Sequence, residues 1–148
     1  MKSIHGGDIY NNKVNMDFSV NINPLGIPHS VKEAMSDALS YADRYPDMAC
    51  SGLKKAISEY FTQQGCSIQN EDVIPGNGAS ELFMAIAHAI KPKKAVLLAP
   101  GFFGYEHVLR AVGCDIRYFL LDEQSDFSPA ARLDALMDML TDDTDIFF

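Results

Sequence analysis

Two glycines and a serine lie between a short apolar stretch and a segment with the apolar spacing of a helix. The segment reads Gly76-Asn77-Gly78-Ala79-Ser80-Glu81, and apolar residues at helical spacing follow it. A helix that starts at such a turn offers unpaired backbone N–H groups and the positive end of its dipole, and the Ser80 hydroxyl adds a donor. The segment therefore predicts a phosphate-binding turn. An ordinary strand-to-helix turn, in which Ser80 and Glu81 only satisfy the first helical turn, fits the same residues.

Two common nucleotide-binding motifs do not fit this segment. Of the glycines in a dinucleotide-binding fingerprint only Gly76 and Gly78 are present, and Glu81 stands in place of the third. The next apolar stretch ends in Leu98-Ala99-Pro100, without the acidic residue that binds a ribose. No Gly-Lys-Ser or Gly-Lys-Thr sequence follows. Neither a Rossmann site nor a P-loop is therefore expected.

Aromatic residues follow the next predicted strand. The segment Gly101-Phe102-Phe103-Gly104-Tyr105 comes after it, at the carboxyl edge of a sheet, where open α/β folds bind ligands. One of these rings is able to lie flat on a planar cofactor. The pattern equally allows Phe102 and Phe103 to be core residues beneath a glycine turn.

The composition and charge favour small-molecule chemistry. With 47% hydrophobic and 22% charged residues, the 148-residue chain is long enough for one core. Its net charge of −8 and pI near 4.8 disfavour nucleic acid and anionic lipid, since both require clustered Lys and Arg. The N-terminus lacks a signal-peptide pattern, and no stretch approaches the ~20 apolar residues of a membrane span. We therefore expect a cytoplasmic protein.

The cysteines and histidines are scattered along the chain. None recurs at the spacing of metal ligands or of paired cysteines, which predicts reduced thiols and no metal site. These residues are Cys50, Cys66, Cys114, His5, His29, His88 and His107.

The sequence of the N-terminal part of the chain predicts an extended arm followed by two helices. Turn-forming residues dominate residues 1–28, which indicates an extended arm. Ser30 followed by Glu33 predicts a capping box for a first helix that runs to about Leu39. Apolar residues at helical spacing around Ile57 predict a second helix, which Gly65 ends in the left-handed conformation.

From Val73 onward, short apolar stretches alternate with amphipathic ones. This alternation is typical of βαβ units, so we predict an α/β fold with a mostly parallel sheet. The last predicted strand has an open end, which leads us to expect a sequence truncated at Phe148. The predicted strands are 73–74, 95–99, 116–121 and 146–148, and the predicted helices are 80–90, 105–112 and 129–140, the last with Ser128 as cap and Pro129 at its first position.

Five segments together resemble the N-terminal part of the fold type I pyridoxal-phosphate enzymes of aminotransferase class I and II. Within that family, the resemblance is to histidinol-phosphate aminotransferases and to the decarboxylases that act on threonine phosphate in cobalamin biosynthesis. The resemblance covers nearly the whole chain. The segments are His5-Gly6-Gly7, residues 17–26, Arg44-Tyr45-Pro46-Asp47, residues 76–81, and Pro100-Gly101-Phe102 with Tyr105-Glu106.

The resemblance implies a site for pyridoxal 5′-phosphate. The turn at Gly78 and the amides of Ala79 and Ser80, with the Ser80 hydroxyl, would hold the cofactor phosphate. Phe102 would stack on the pyridine ring. Tyr45 would reach the cofactor phosphate of a partner subunit, which implies a homodimer.

Two further residues resemble substrate contacts of the decarboxylases. His5 would offer a donor to the substrate phosphate, and Asn21 would offer its amide to the substrate. Simpler roles remain open, because His5 lies near the terminus, Asn21 is a common turn former and Tyr45 fits a core ring as well.

The resemblance also implies a division of the chain and an activity. Residues 1–45 would form the arm and first helix as part of a small domain, and residues 46–148 the first part of the cofactor-binding large domain. The implied reaction is decarboxylation of a phosphorylated amino acid, with transamination of a substrate such as histidinol phosphate as the alternative. Ala79-Ser80 stands where these decarboxylases carry an acid and a threonine, and residues 8–16 form a shorter segment than theirs. The choice between the reactions stays open.

Enzymes of this family need a Schiff-base lysine, an acid for the ring nitrogen and arginines for the substrate carboxylate. The resemblance places all of these after Phe148, so no catalytic residue is expected here, and the chain alone is predicted to be inactive. A non-catalytic phosphate-binding or dimerisation piece is therefore a third reading. The lysines present are expected on a terminus, on solvent-facing helix positions or opposite the glycine turn; they are Lys2, Lys13, Lys32, Lys54, Lys55, Lys91, Lys93 and Lys94.

Overall fold

A parallel β-sheet with helices on both faces forms the second of two units into which the chain divides. The computed structural model describes residues 6–7, 10–11, 13 and 15–148. The units are Met1–Ser51 and Gly52–Phe148. The division into domains 1–45 and 46–148 that the resemblance implies remains a prediction.

Polar turns organise the described arm of the first unit. The Gly26 N–H donates to the Asn23 carbonyl at 2.9 Å, and the Asn23 side chain accepts the Leu25 N–H at 3.0 Å. Asp17 Oδ1 accepts the hydroxyl and the N–H of Ser19 at 2.5 and 2.8 Å, and these hydrogen bonds lower the pKa of the Asp17 carboxyl. The contacts agree with the turn-rich arm that the sequence predicts.

The first helix, α1, spans His29–Ala38 and is not capped as predicted. Pro28 precedes it, and no side chain caps its N-terminus. The Pro28 carbonyl accepts two N–H groups of the first turn at 3.1 Å, so the helix begins before Ser30. Glu33 Oε2 lies 3.2 Å from His29 Nδ1. The predicted capping box is therefore wrong, because the serine lies inside the first turn. The predicted end of the helix is correct to within one residue.

A three-stranded sheet forms the centre of the second unit. Its strands, in chain order, are β1 (Lys94–Ala99), β2 (Asp115–Leu120) and β3 (Ile146–Phe147). β1 lies between the other two, and both pairings are parallel. The central strand is a continuous apolar run because both faces of a parallel sheet are covered. The predicted α/β fold and three of its four predicted strands are confirmed.

Helices cover the two faces of this sheet. The remaining helices are α2 (Ser51–Gln63), α3 (Ala79–Ile90), α4 (Phe103–Ala111) and α5 (Leu133–Met139). Leu97 of β1 packs with Ala87 of α3 and Leu109 of α4, whereas Val96 packs with Leu136 of α5. Successive side chains of a strand point to opposite faces, so α3 and α4 lie on one face and α5 on the other. None of the described helices has the length and apolar character that a membrane span requires.

Residues 73–74 do not form the predicted strand. Val73 has an extended backbone, with φ of −106° and ψ of 122°. However, the described strands pair only with one another, and Ile74 is 77% exposed. A β-branched pair favours an extended backbone, but a strand also needs a neighbour for its hydrogen bonds, and β2 and β3 occupy both sides of β1.

The helix predicted at 129–140 is divided in two. Pro129–Arg132 forms a 3-10 turn, and α5 begins at Leu133. The Ser128 hydroxyl accepts a backbone N–H of that turn at 3.3 Å, which confirms the predicted cap. The division occurs at Arg132, whose guanidinium lies 5.0 Å from the centre of the Phe119 ring. The backbone of Arg132, with φ of −133° and ψ of 34°, is not helical, which the helical spacing of the apolar residues does not predict.

An aspartate joins the amino ends of β1 and β3. Asp145 Oδ2 accepts the N–H groups of Lys93 and Lys94 at 2.6 and 3.0 Å, which lowers the pKa of its carboxyl. The Lys94 ammonium also pairs with Asp143 and lowers the pKa of that carboxyl to about 2. The turn before β3 is thereby tied to the start of the central strand.

Candidate functional site

The glycine turn leads directly into α3. Gly78 precedes the helix with φ of +82° and ψ of 167°, and no side chain caps the helix N-terminus. The Gly78 N–H donates to the Gly76 carbonyl at 2.9 Å, which folds the turn tightly. Ala79 and Ser80, the first two residues of α3, are exposed. The first N–H groups of a helix have no partner within the helix, so these two amides are available to a ligand.

The two glycines of the turn are favoured for different reasons. A Cβ at Gly76 would lie 2.8 Å from Leu82 Cδ2, so the Leu82 side chain would have to shift. A Cβ at Gly78 would meet nothing within 4 Å, but the backbone there has a conformation that side chains rarely adopt. Among the described residues, the space directly beside Gly78 is therefore open, next to the exposed donors of Ala79 and Ser80.

Phe102 lies close to the second turn of α3. It precedes α4, and its carbonyl accepts the Tyr105 N–H at 3.2 Å, which starts the helix two residues before the predicted position. Its ring is 44% exposed and lies 6.4 Å from the ring of Phe83, in the second turn of α3. The structure thus brings the aromatic turn after β1 next to the first turns of α3.

An aromatic cluster behind Phe102 was not predicted as part of the site. Tyr105 contacts Phe102 edge-on with ring centres 5.4 Å apart, and it stacks on Phe148 at 4.5 Å and an angle of 3°. Phe83 contacts Tyr105 edge-on at 4.9 Å. The sequence marks Phe83 only as an apolar helix position, and Phe148 lies 43 positions beyond Tyr105. Such a cluster depends on tertiary packing.

The other predicted contacts belong to the first unit. Tyr45 is 85% exposed, and Asn21 is also exposed. Asp47, two residues after Tyr45, accepts the N–H groups of Ser51 and Ala49 at 2.7 and 3.0 Å, and these hydrogen bonds lower its pKa. The Tyr45 segment is thereby fixed to the start of α2. His5 lies outside the described residues.

Three lysines close to α3 and β1 in sequence lie away from the glycine turn. Lys91 follows the C-terminus of α3, and Lys93 and Lys94 lie at the amino end of β1, opposite the end that leads to Phe102. Among the residues that the structure describes, no group of three His, Cys, Asp or Glu side chains is placed to hold a metal ion.

Known proteins share this arrangement of sequence and fold. Threonine-phosphate decarboxylase of Salmonella typhimurium is 36% identical over 133 residues, which are 90% of this chain and 34% of that enzyme. Histidinol-phosphate aminotransferase 1 of Mannheimia succiniciproducens is 33% identical over 99 residues, which are 66% of this chain and 26% of that enzyme. The chain spans about a third of the length of the decarboxylase.

The fold has a counterpart among solved structures. The crystal structure of an aminotransferase from Mycobacterium tuberculosis matches 79% of this chain and 32% of its own, with a TM-score of 0.62 at 24% identity. The aminotransferase class I and II family model matches residues 13–147. Because this match includes both described units, the chain belongs to the aminotransferase class I and II family.

Proposed function

We propose that the protein binds pyridoxal phosphate and, at its native full length, decarboxylates a phosphorylated amino acid such as threonine phosphate. The observation that carries the proposal is the uncapped N-terminus of α3 behind the glycine turn. Similarity to a threonine-phosphate decarboxylase over 90% of the chain supports this choice of substrate.

The glycine turn has the chemistry that a phosphate dianion requires. The amides of Ala79 and Ser80 and the Ser80 hydroxyl would hold the phosphate, and the dipole of α3 favours a negative charge there. The open space at Gly78 leaves room for the group, since a Cβ built there meets no atom within 4 Å. The residues present therefore fit the phosphate of the cofactor.

Phe102 would contact the cofactor ring. It is half-exposed, and an edge-on contact with Tyr105 and a tilted contact with Phe83 support it. When bound, pyridoxal phosphate withdraws electrons from the α-carbon of an amino acid substrate. The contribution of this chain is to bind and orient the cofactor. The lysine, the acid and the arginines for catalysis would lie outside these 148 residues.

Substrate and subunit contacts would come from the first unit. Asn21 and His5 would bind the substrate, His5 as a donor to its phosphate. Tyr45, at 85% exposure, would bind the cofactor phosphate of a partner subunit. The proposed protein is thus a cytoplasmic homodimer that acts on a small phosphorylated molecule.

The first test measures cofactor binding and product in the protein at its native full length. Pyridoxal phosphate is titrated into cofactor-free protein and followed by the absorbance of the bound form. Threonine phosphate is then added, and carbon dioxide is measured. We expect binding and release of carbon dioxide. A protein that binds no pyridoxal phosphate contradicts the whole proposal.

Ser80 provides a sharper test of the phosphate contact. The variant Ser80→Ala loses one donor to a charged group, so we expect about tenfold weaker binding of pyridoxal phosphate. Ser67→Ala is the matched control, because Ser67 is an exposed serine after the end of α2. This variant should bind pyridoxal phosphate as the wild type does. Equal affinity of the two variants would show that the Ser80 hydroxyl does not contact the phosphate.

Transamination is the second candidate reaction. The relative from Mannheimia succiniciproducens, which is named as a histidinol-phosphate aminotransferase, favours it. The turn that would hold the cofactor phosphate serves both reactions equally. The products distinguish the two reactions, because transamination yields a carbonyl compound and releases no carbon dioxide.

A further inference from the structure

A carboxylate in the first turn of α3 holds the glycine turn. The side chain of Glu81 accepts a hydrogen bond from the Asn77 N–H through Oε2. The next N–H, that of Gly78, donates to the Gly76 carbonyl at 2.9 Å. Two consecutive amides of the turn are thus paired within the turn or its helix.

Because the Asn77 and Gly78 amides are paired, the amides that remain for a ligand are those at the start of α3. In an ordinary capping box, the glutamate at the third helical position accepts the N–H of the residue that caps the helix. Here that residue is Gly78, whose N–H is already taken by Gly76, and Glu81 accepts the N–H one position earlier. The amides of Ala79 and Ser80 are the next in sequence and have no partner within the helix.

The turn is packed against the same helical turn that carries the carboxylate. A Cβ at Gly76 would lie 2.9 Å from Leu82 Cγ and 3.3 Å from Glu81 Oε2. The side chains of Leu82 and Glu81 therefore fill the space where a side chain at position 76 would lie. The hydrogen bond from the Asn77 N–H ties the turn to Glu81.

We propose that Glu81 is a positioning residue that forms the phosphate cradle in advance by holding the Asn77 amide. The inference rests on the proposed function of the glycine turn. Glu81 acts through the position of the backbone and not through its charge, because a carboxylate repels a phosphate. A neutral side chain with the same acceptor therefore preserves the role.

Three variants of the protein at its native full length test this role. Glu81→Ala removes the acceptor, and Glu81→Gln keeps an acceptor oxygen but removes the charge. Glu59→Ala is the matched control, since Glu59 lies on α2 and forms an exposed ion pair with Lys55 at 3.8 Å. The readouts are hydrogen–deuterium exchange of the peptide that covers residues 76–81 and the affinity for pyridoxal phosphate. Far-UV circular dichroism monitors folding.

We expect Glu81→Ala to exchange faster in this peptide. It should also bind pyridoxal phosphate about threefold to tenfold more weakly, because it loses one hydrogen bond to a charged group at an exposed position. Glu81→Gln should keep the wild-type exchange and bind at least as tightly, and Glu59→Ala should change neither.

The outcomes separate this inference from the proposed function. If wild-type protein binds pyridoxal phosphate and Glu81→Ala matches it in exchange and affinity, the inference alone is overturned. The inference is also overturned if Glu81→Gln behaves as Glu81→Ala does, since charge would then be the cause. If the wild type binds no pyridoxal phosphate, the proposed function fails, and the exchange rates still decide whether Glu81 holds the turn.

Discussion

Gly78 has a backbone conformation, φ of +82° and ψ of 167°, that is open almost only to glycine. The variant Gly78→Ala should therefore lose about 1–3 kcal/mol of unfolding free energy or shift the turn. Urea unfolding measures the loss. Gly52→Ala on α2 is the matched control, because its Cβ meets nothing within 4 Å and its backbone is helical, so no loss is expected. An unchanged free energy in Gly78→Ala would mean that the turn adapts without strain.

At the same scale, the sequence predicts only part of the candidate site. The two glycines and Ser80 form a local pattern, so the turn and its exposed donors are predictable from residue types alone. The contact of Glu81 with the Asn77 N–H is not, because the capping-box pattern expects a serine or threonine at the position that Gly78 occupies. The contact of Phe102 with Phe83 is also not predictable, since Phe83 belongs to a different helix, and neither is the stacking of Tyr105 on Phe148, the residue after β3.

Among the elements, the turn before β3 gives a prediction about pH. Folding lowers the pKa of Asp145 and Asp143, the latter to about 2, from an ordinary value of 3.8. The stability that they contribute is therefore present above pH 3.8 and is lost as the pH falls toward 2. We expect the thermal midpoint to decrease over this range, and to decrease less in the double variant Asp143→Asn, Asp145→Asn.

A matched substitution controls this experiment. Asp138→Asn changes an exposed aspartate of α5 and should keep the pH dependence of the wild type. If the double variant has the same dependence as the wild type between pH 4 and pH 2, the two carboxyls do not contribute to it.

The elements also indicate where local sequence information ends. β1 is predictable because it is an apolar run buried on both faces, and α3 is predictable because its apolar residues recur at helical spacing. Residues 73–74 have the composition of a strand, and Val73 has an extended backbone. A strand also needs an adjacent strand for its backbone hydrogen bonds, and no local sequence pattern specifies that partner. The interruption occurs at Arg132, whose side chain contacts Phe119, a residue that no local pattern pairs with it.

For the molecule as a whole, the core between α4 and the sheet should dominate stability. Leu109 is completely buried among Ala87, Leu97 and Val108. Leu109→Ala should therefore cost about 2–5 kcal/mol of unfolding free energy, because it leaves a cavity. Leu133→Ala removes the same atoms at a position that is 53% exposed, and it should cost less than about 1 kcal/mol. Equal costs in urea unfolding would argue against this core.

The order β2-β1-β3 has a consequence for where a ligand can enter. From β1 the chain passes by α4 on one face to β2, and from β2 it returns by α5 on the opposite face to β3, on the other side of β1. The winding direction therefore reverses after β2, and the connections that follow β1 and β2 lie on opposite faces of the sheet. A reversal of this kind opens a crevice at the carboxyl end of the strands. Phe102 follows β1 at that end, so we expect the crevice to lie near this ring.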